Sequence, residues 1–180
     1  MTPAARPNAR ATDGGLEIRD EQPGDIAAIR EVNRLAFGQD DEGRIVDALR
    51  DNGAVTLSLV AADSGVVVGH IMFSPLSVGL ATGAGLGPMA VAPSHQRQGI
   101  GTRLVQVGIE RLRSAGCPFI VVLGHPNFYP RFGFQPAATY GLTCEWDVAA
   151  EAFMVNVLDP DITSRLRGLA QYRPEFSAAT

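Results

Sequence analysis

Residues 94–104, SHQRQGIGTRL, set a run of polar side chains directly ahead of Gly99-Ile100-Gly101 and a helical pattern. That order allows one kind of chemistry. The first-turn N–H groups of a helix have no internal partners, and with the helix dipole they make an anion site. Glycines there let a phosphate reach the backbone, because no Cβ stands in the way. The format is neither of the two commonest ones. A dinucleotide fingerprint wants a third glycine where Arg103-Leu104 stands, and the Gly-Lys-Ser/Thr of a P-loop is absent. The other reactive groups are scattered: Tyr129 in an aromatic segment, Glu42, Glu145 and Asp147 in or beside loops, and His70, His95 and His125. Three dispersed histidines with Cys117 and Cys144 have no metal-ligand spacing, so no metal is expected.

The hydrophobic pattern supplies the scaffold for these groups. Leu16 to Arg19 alternates as a half-buried strand does. Pro23-Gly24-Asp25 opens a helix, with Asp25 as N-cap and Ile26, Ile29, Val32 and Leu35 or Ala36 on one face. A second helix follows Asp40-Asp41, turns Ile45, Val46 and Leu49 inward, and ends near Asn52-Gly53. Thr56 to Ala62 and Val66 to Phe73 are β-branched, apolar strands joined by an Asp63-Ser64-Gly65 hairpin turn. Gly79 to Gly85 reads as a glycine-rich loop leading to a strand, Leu86 to Val91. After the polar loop a helix runs to about Ala115, with Ile100, Leu104, Val107 and Ile109 toward the core. Phe119 to Leu123 is uniformly apolar, as a strand buried on both faces is. Leu86 to Leu123 is therefore a βαβ unit with parallel strands. A short helix after Pro126 ends at Gly133, and Ala152 to Leu158 is a last strand. This order, β-α-α-β-β-β-α-β-α-β, predicts an α/β domain with a mixed sheet.

The composition limits what such a domain can be. At 180 residues, 46% hydrophobic and 19% charged, the chain fits one globular domain, expected over residues 16–180 behind a disordered tail, 1–15. A net charge of -4 gives no reason to expect a nucleic-acid partner. No apolar run is long enough to span a bilayer, and the Ala- and Pro-rich start lacks the apolar segment of a secretory signal. Cytoplasmic localisation, no membrane partner and two reduced thiols are the expectation.

With the elements in place, Val91-Ala92-Pro93-Ser94-His95-Gln96-Arg97-Gln98-Gly99-Ile100-Gly101 resembles the acetyl-CoA signature of the GNAT N-acetyltransferase superfamily, V-x-P followed by Q/R-x-x-G-x-G/A. Asn127-Phe128-Tyr129-Pro130-Arg131-Phe132-Gly133-Phe134 is similar to the family's second signature, N…Y…GF. GHPNFYPRFGFQP, with GHIMFSPL upstream and EAFMVNVL downstream, resembles the YhbS-like branch. The resemblance implies a GNAT-like fold: a central, mostly antiparallel sheet flanked by helices. Its fourth and fifth strands, Leu86 to Val91 and Phe119 to Leu123, would form a parallel, splayed pair. It also accounts for Pro88, out of place in a regular ladder but suited to a bulge where a strand leaves its neighbour.

The resemblance implies an acetyl-CoA-dependent N-acetyltransferase, with acetyl-CoA as co-substrate and direct attack in a ternary complex. It implies cofactor contacts from Met89, Ala90, Val91, Gln96, Arg97, Gln98, Gly99, Ile100, Gly101, Thr102, Asn127 and Tyr129. Tyr129 takes the place of the general acid toward the thiolate. Glu42 is the candidate general base, with Glu145 and Asp147 as other carboxylates and His70 as a relay if it faces the cleft or else a hydrogen-bonded core residue. The acceptor is a small-molecule or peptide amine, and the assembly a monomer or homodimer. The alternative is a non-catalytic acyl-CoA-binding or regulatory module on the same fold.

Overall fold

Alternating and β-branched runs pair into a single mixed sheet in the computed structural model, which describes residues 12–13 and 15–177. The elements are β1 (Thr12–Asp13), β2 (Leu16–Asp20), α1 (Ile26–Phe37), α2 (Asp41–Asp51), β3 (Leu57–Asp63), β4 (Val66–Val78) and β5 (Ala81–Val91). They continue with α3 (Ile100–Ser114), β6 (Phe119–Leu123), β7 (Gln135–Pro136), β8 (Leu142–Cys144), β9 (Phe153–Val157) and β10 (Gly168–Gln171). The sheet runs β1-β2-β3-β4-β5-β6-β9-β7, and β10 joins β4 and β8. Neighbours are antiparallel except β5–β6 and β8–β10. The expected mixed sheet with one parallel βαβ pair is thus present, its pair being β5 and β6.

Side-chain alternation along β4 divides the core. Ile71 and Phe73 face α3, where they meet Leu104, Val105 and Ile109. Met72 faces the other way, against Ile29 of α1 and Val46 and Leu49 of α2. Fully burying a side chain such as Phe73 is worth about 1.5–3 kcal/mol. Its ring takes the room over Gly108 of α3, where a Cβ would lie 2.6 Å from it. A third cluster joins Leu76, Val78, Phe119, Val155 and Leu166 toward the C-terminus.

Several expectations need correction. Gly79 to Gly85 is not a loop: β4 runs on to Val78, Gly79 and Leu80 make a tight turn, and β5 begins at Ala81. Glycine serves inside this strand because β6 comes very close, and a Cβ on Gly83 would sit 2.5 Å from the Phe119 carbonyl oxygen. Asp25 does not cap α1 through its side chain. Its carboxylate takes two hydrogen bonds from Arg19, at 2.6 and 3.0 Å, and one from the Gln22 N–H. Leu35 is exposed, and Ala36 is the half-buried residue of that pair. Of the expected tail, residues 1–11 and 14 lie outside the described residues, while Thr12 and Asp13 pair with Glu17 and Leu16. The short strands β7, β8 and β10 carry too few residues for a period of their own and exist by pairing with longer neighbours.

Candidate functional site

β5 and β6 pair at Ala84↔Ile120, Gly85↔Val121 and Leu86↔Val122, and their pairing ends there. β5 stays on β4 through Met89, Ala90 and Val91, opposite Ile71, His70 and Gly69. β6 stays on β9 up to Leu123. The two strands therefore separate into a wedge, with the backbone of Gly87 to Val91 forming one open edge. The separation starts at a bulge, where Gly87 and Pro88 together stand between the pairs Phe73↔Leu86 and Ile71↔Met89. Proline has no N–H for the ladder, so the bulge is where the strand tolerates it.

The start of α3 closes the top of the wedge. Gln96 donates its Nε2 to the Val91 carbonyl at 2.9 Å, tying the loop to β5. Gln98 donates to the Ser94 carbonyl at 3.2 Å. Positive φ angles at Arg97 (58°) and Gly99 (82°) curl the backbone ahead of the helix. The N–H groups from Arg97 to Thr102 donate to no backbone carbonyl among the described residues, the first such bond being Arg103 N–H to Gly99. A cradle of free donors at the positive end of a helix suits a phosphate. The Arg97 side chain is exposed, whereas that of Ile100 is buried in the α3 core, so Ile100 offers only its N–H to a ligand. Three elements meet at Gly101: the place of its absent Cβ lies 3.7 Å from Met89 Cε, 3.8 Å from Phe128 Cζ and 3.8 Å from Val91 Cγ2.

Tyr129 stands on the β6 side, in a short turn after the strand, and is 5% exposed. Its ring meets Phe128 and Phe134 edge-on, with centroids 5.0 and 5.5 Å away. It lies so close over Gly124 that a Cβ there would overlap Tyr129 Cε2. Burial pushes the phenol up to about 12, so it holds its proton throughout the neutral range. Asn127 is exposed, and its carbonyl accepts from Arg131, whose guanidinium lies 4.9 Å from the centre of the Phe128 ring.

The carboxylates divide. Glu42, in the first turn of α2, accepts from Gln39 at 3.2 and 3.3 Å. Glu145 accepts the Tyr172 N–H at 2.8 Å, a structural duty, and Asp147 is exposed. His125 is exposed, and its carbonyl takes the Phe128 and Tyr129 N–H groups, so it shapes the turn. His95 lies 2.8 Å from the Ser94 hydroxyl. Among the described residues no three His, Cys, Asp or Glu side chains form a group able to hold a metal.

A buried polar chain went unread in the sequence. His70 is fully buried, with Nδ1 3.4 Å from Asn33 Nδ2 and Nε2 3.0 Å from Ser58 Oγ. The Asn33 amide can only donate through Nδ2, which leaves His70 protonated on Nε2 and donating to Ser58. Ser58 donates to Glu21 in turn, and Arg50 donates to the other Glu21 oxygen at 2.7 Å. Asn33 on the inward face of α1, four residues after Ile29, was the available signal. Burial first, and the Arg50 charge second, push the His70 imidazole down to about 3. The unfolded chain takes up this proton near 6.5 and the folded one only near 3. Stability is therefore fully present above about pH 6.5 and falls on acidification by about 1.4 kcal/mol per pH unit. Melting curves from pH 7 to 4 should fall more gently for His70→Gln than for the wild type. Equal slopes would show that another group governs the acid limit.

The model of the acetyltransferase (GNAT) family matches residues 26–134. The chain is 37% identical over 166 residues to the uncharacterized N-acetyltransferase YhbS of Escherichia coli strain K12, covering 89% of this chain and 98% of that protein. The solved structure of E. coli YhbS in complex with CoA superposes with a TM-score of 0.85 at 36% identity, over 97% of this chain and 96% of that one. A GNAT family acetyltransferase from Brucella melitensis in complex with acetyl-CoA gives 0.77 at 39% identity, over 91% and 99%.

Proposed function

The chain belongs to the acetyltransferase (GNAT) family, and from that premise we propose that it moves the acetyl group of acetyl-CoA to an amine by direct attack within a ternary complex. The observation that carries this reading is the wedge between β5 and β6, which opens onto the free N–H groups at the start of α3 with Gly101 between them. Acetyl-CoA, when bound, supplies an activated acyl carbon and a thiolate leaving group.

The chain's own groups fit that substrate. The N–H groups of Gln98, Gly99, Ile100, Gly101 and Thr102 take the pyrophosphate, with Gln96 and Arg97 shaping the loop that presents them. The open edge at Met89, Ala90 and Val91 pairs with the pantetheine arm as an added strand would. An amide at Met89 or Ala90 donates to the carbonyl oxygen as it gains charge. Asn127 borders the β6 side, and Tyr129 donates toward the sulfur as it leaves. The amine nitrogen forms its bond to the acyl carbon, the carbon–sulfur bond breaks, the nitrogen gives up one proton, and the sulfur ends as a thiol. Glu42, at the α1–α2 turn, is our candidate for taking the amine's proton.

Tyr140 to Glu151 and Phe37 to Glu42 are the segments we assign to a small-molecule or peptide amine. We take residues 16–180 as one catalytic unit, acting as a monomer or homodimer. No helix among the described residues is long and apolar enough to cross a membrane. The free, half-buried Cys117 and Cys144 suit a reducing compartment, and we place the protein in the cytoplasm. The test is a calorimetric titration with acetyl-CoA, followed by thiol release over a panel of amines. Binding with amine-dependent release supports the reading. Binding with no release for any amine supports a non-catalytic acyl-CoA module, and no binding overturns both.

A further inference from the structure

The cradle ahead of α3 offers uncharged N–H groups, in a chain whose net charge is -4. Acetyl-CoA brings more charge than such a cradle alone matches. Beside the pyrophosphate it carries a phosphate monoester on the ribose 3′ oxygen, with a charge of about -1.5 to -2 at neutral pH. A monoester of that kind pairs well with a guanidinium, whose planar fork donates two parallel hydrogen bonds. A guanidinium with its charge unneutralised stands at the rim of the wedge. Arg131 follows Tyr129 by two residues in the turn after β6, and it is exposed.

Its guanidinium rests over the Phe128 ring, 4.9 Å from the centroid, and Nη2 donates to the Asn127 carbonyl at 3.2 Å. Both partners are uncharged, and Arg131 enters no ion pair among the described residues. Arg19, Arg50, Arg111 and Arg173, by contrast, each face a carboxylate. Arg97, in the loop itself, is exposed too but has no such hold among the described residues. A cation already fixed by a ring and a carbonyl loses less freedom when a ligand arrives. Phe128 also ties this charge to the cradle. Its Cζ lies 3.8 Å from the place of the absent Gly101 Cβ, while Arg131 stacks on the same ring. The guanidinium is therefore no more than about 10 Å from the start of α3, within one screening length at 0.1 M salt. The pyrophosphate and the 3′-phosphate of one nucleotide are separated by a single ribose, a span of the same order.

We propose that Arg131, held on Phe128, binds the 3′-phosphate of acetyl-CoA and makes the protein selective for the coenzyme that carries it. The proposal rests on the acetyl-transfer reading and adds a specificity-determining residue to it. The pyrophosphate keeps the N–H groups of the cradle, and the monoester takes the guanidinium, most of whose donors are unused.

The test titrates acetyl-CoA and acetyl-dephospho-CoA, which differ only in the 3′-phosphate, into the wild type, Arg131→Gln and Arg131→Lys. The wild type should bind acetyl-CoA at least about tenfold more tightly than the dephospho form. Arg131→Gln should bring that ratio below about threefold by weakening acetyl-CoA alone. Arg131→Lys keeps the charge but loses the fork, so its ratio should fall between the other two. Raising the salt from about 0.05 to about 0.5 M should shrink the wild-type ratio and leave that of Arg131→Gln in place. A packing role for Arg131 would move none of these ratios. A wild type that binds both ligands equally, or an Arg131→Gln that keeps the preference, would overturn the proposal. Equal weakening of both ligands by Arg131→Gln would put Arg131 on the pyrophosphate and overturn it as well. Absence of binding by either ligand to the folded wild type would sink the acetyl-transfer reading itself. If Arg131→Gln fails to fold, Arg131→Lys decides, and a ratio equal to the wild type's would overturn the proposal.

Discussion

Tyr129→Phe is expected to lower kcat by about a hundredfold while acetyl-CoA binds as tightly as before. The substitution keeps the ring, and with it the packing against Gly124, Phe128 and Phe134. It removes only a hydroxyl that makes no hydrogen bond among the described residues, so the fold should survive unchanged. Because burial holds the phenol at about 12, the group does not titrate between pH 6 and 9, and the loss should be the same across that range. Gly124→Ala should give part of the same defect, since its methyl group would push the ring off its seat. Steady-state thiol release beside a calorimetric titration separates the two effects. A kcat equal to wild type would remove Tyr129 from the chemistry and leave it a packing residue.

The second large effect concerns the cradle. Gly99→Ala with Gly101→Leu should weaken acetyl-CoA binding by at least a hundredfold, to roughly the loss of several hydrogen bonds to a charged group. Gly99 holds φ at 82°, where an L side chain costs about 1–2 kcal/mol. At Gly101 a Cβ fits at 3.7 Å from Met89 Cε, but a longer side chain must grow into the wedge between Met89, Val91 and Phe128. Melting temperature and circular dichroism would establish that the variant is folded before the titration. Undiminished affinity would mean that the phosphates are held elsewhere.

What the sequence made legible follows the range of the interactions involved. The β5–α3–β6 unit could be read because a strand, a polar turn, an amphipathic helix and an apolar strand follow one another within one stretch of chain. Gly83 and Gly85 were misread as part of a loop because their reason lies in other segments: Phe119 across the parallel pair and Tyr172 from the C-terminal end. The His70 chain draws on α1, β3, β4, α2 and the residue after β2, and only the mid-strand histidine and Asn33 on an inward helical face hinted at it.

Among the described residues the three rungs between Ala84 and Leu86 are the whole ladder between the β1–β5 half of the sheet and the β6, β9 and β7 half. Beyond them the two halves face each other without a shared ladder, like leaves joined at one end. A molecule laid along Met89 to Val91 becomes a structural member, the missing slat that completes the sheet. Loading the protein should then slow amide exchange on both leaves together, well beyond the residues touched. Product release, in the same terms, is the loss of a strand.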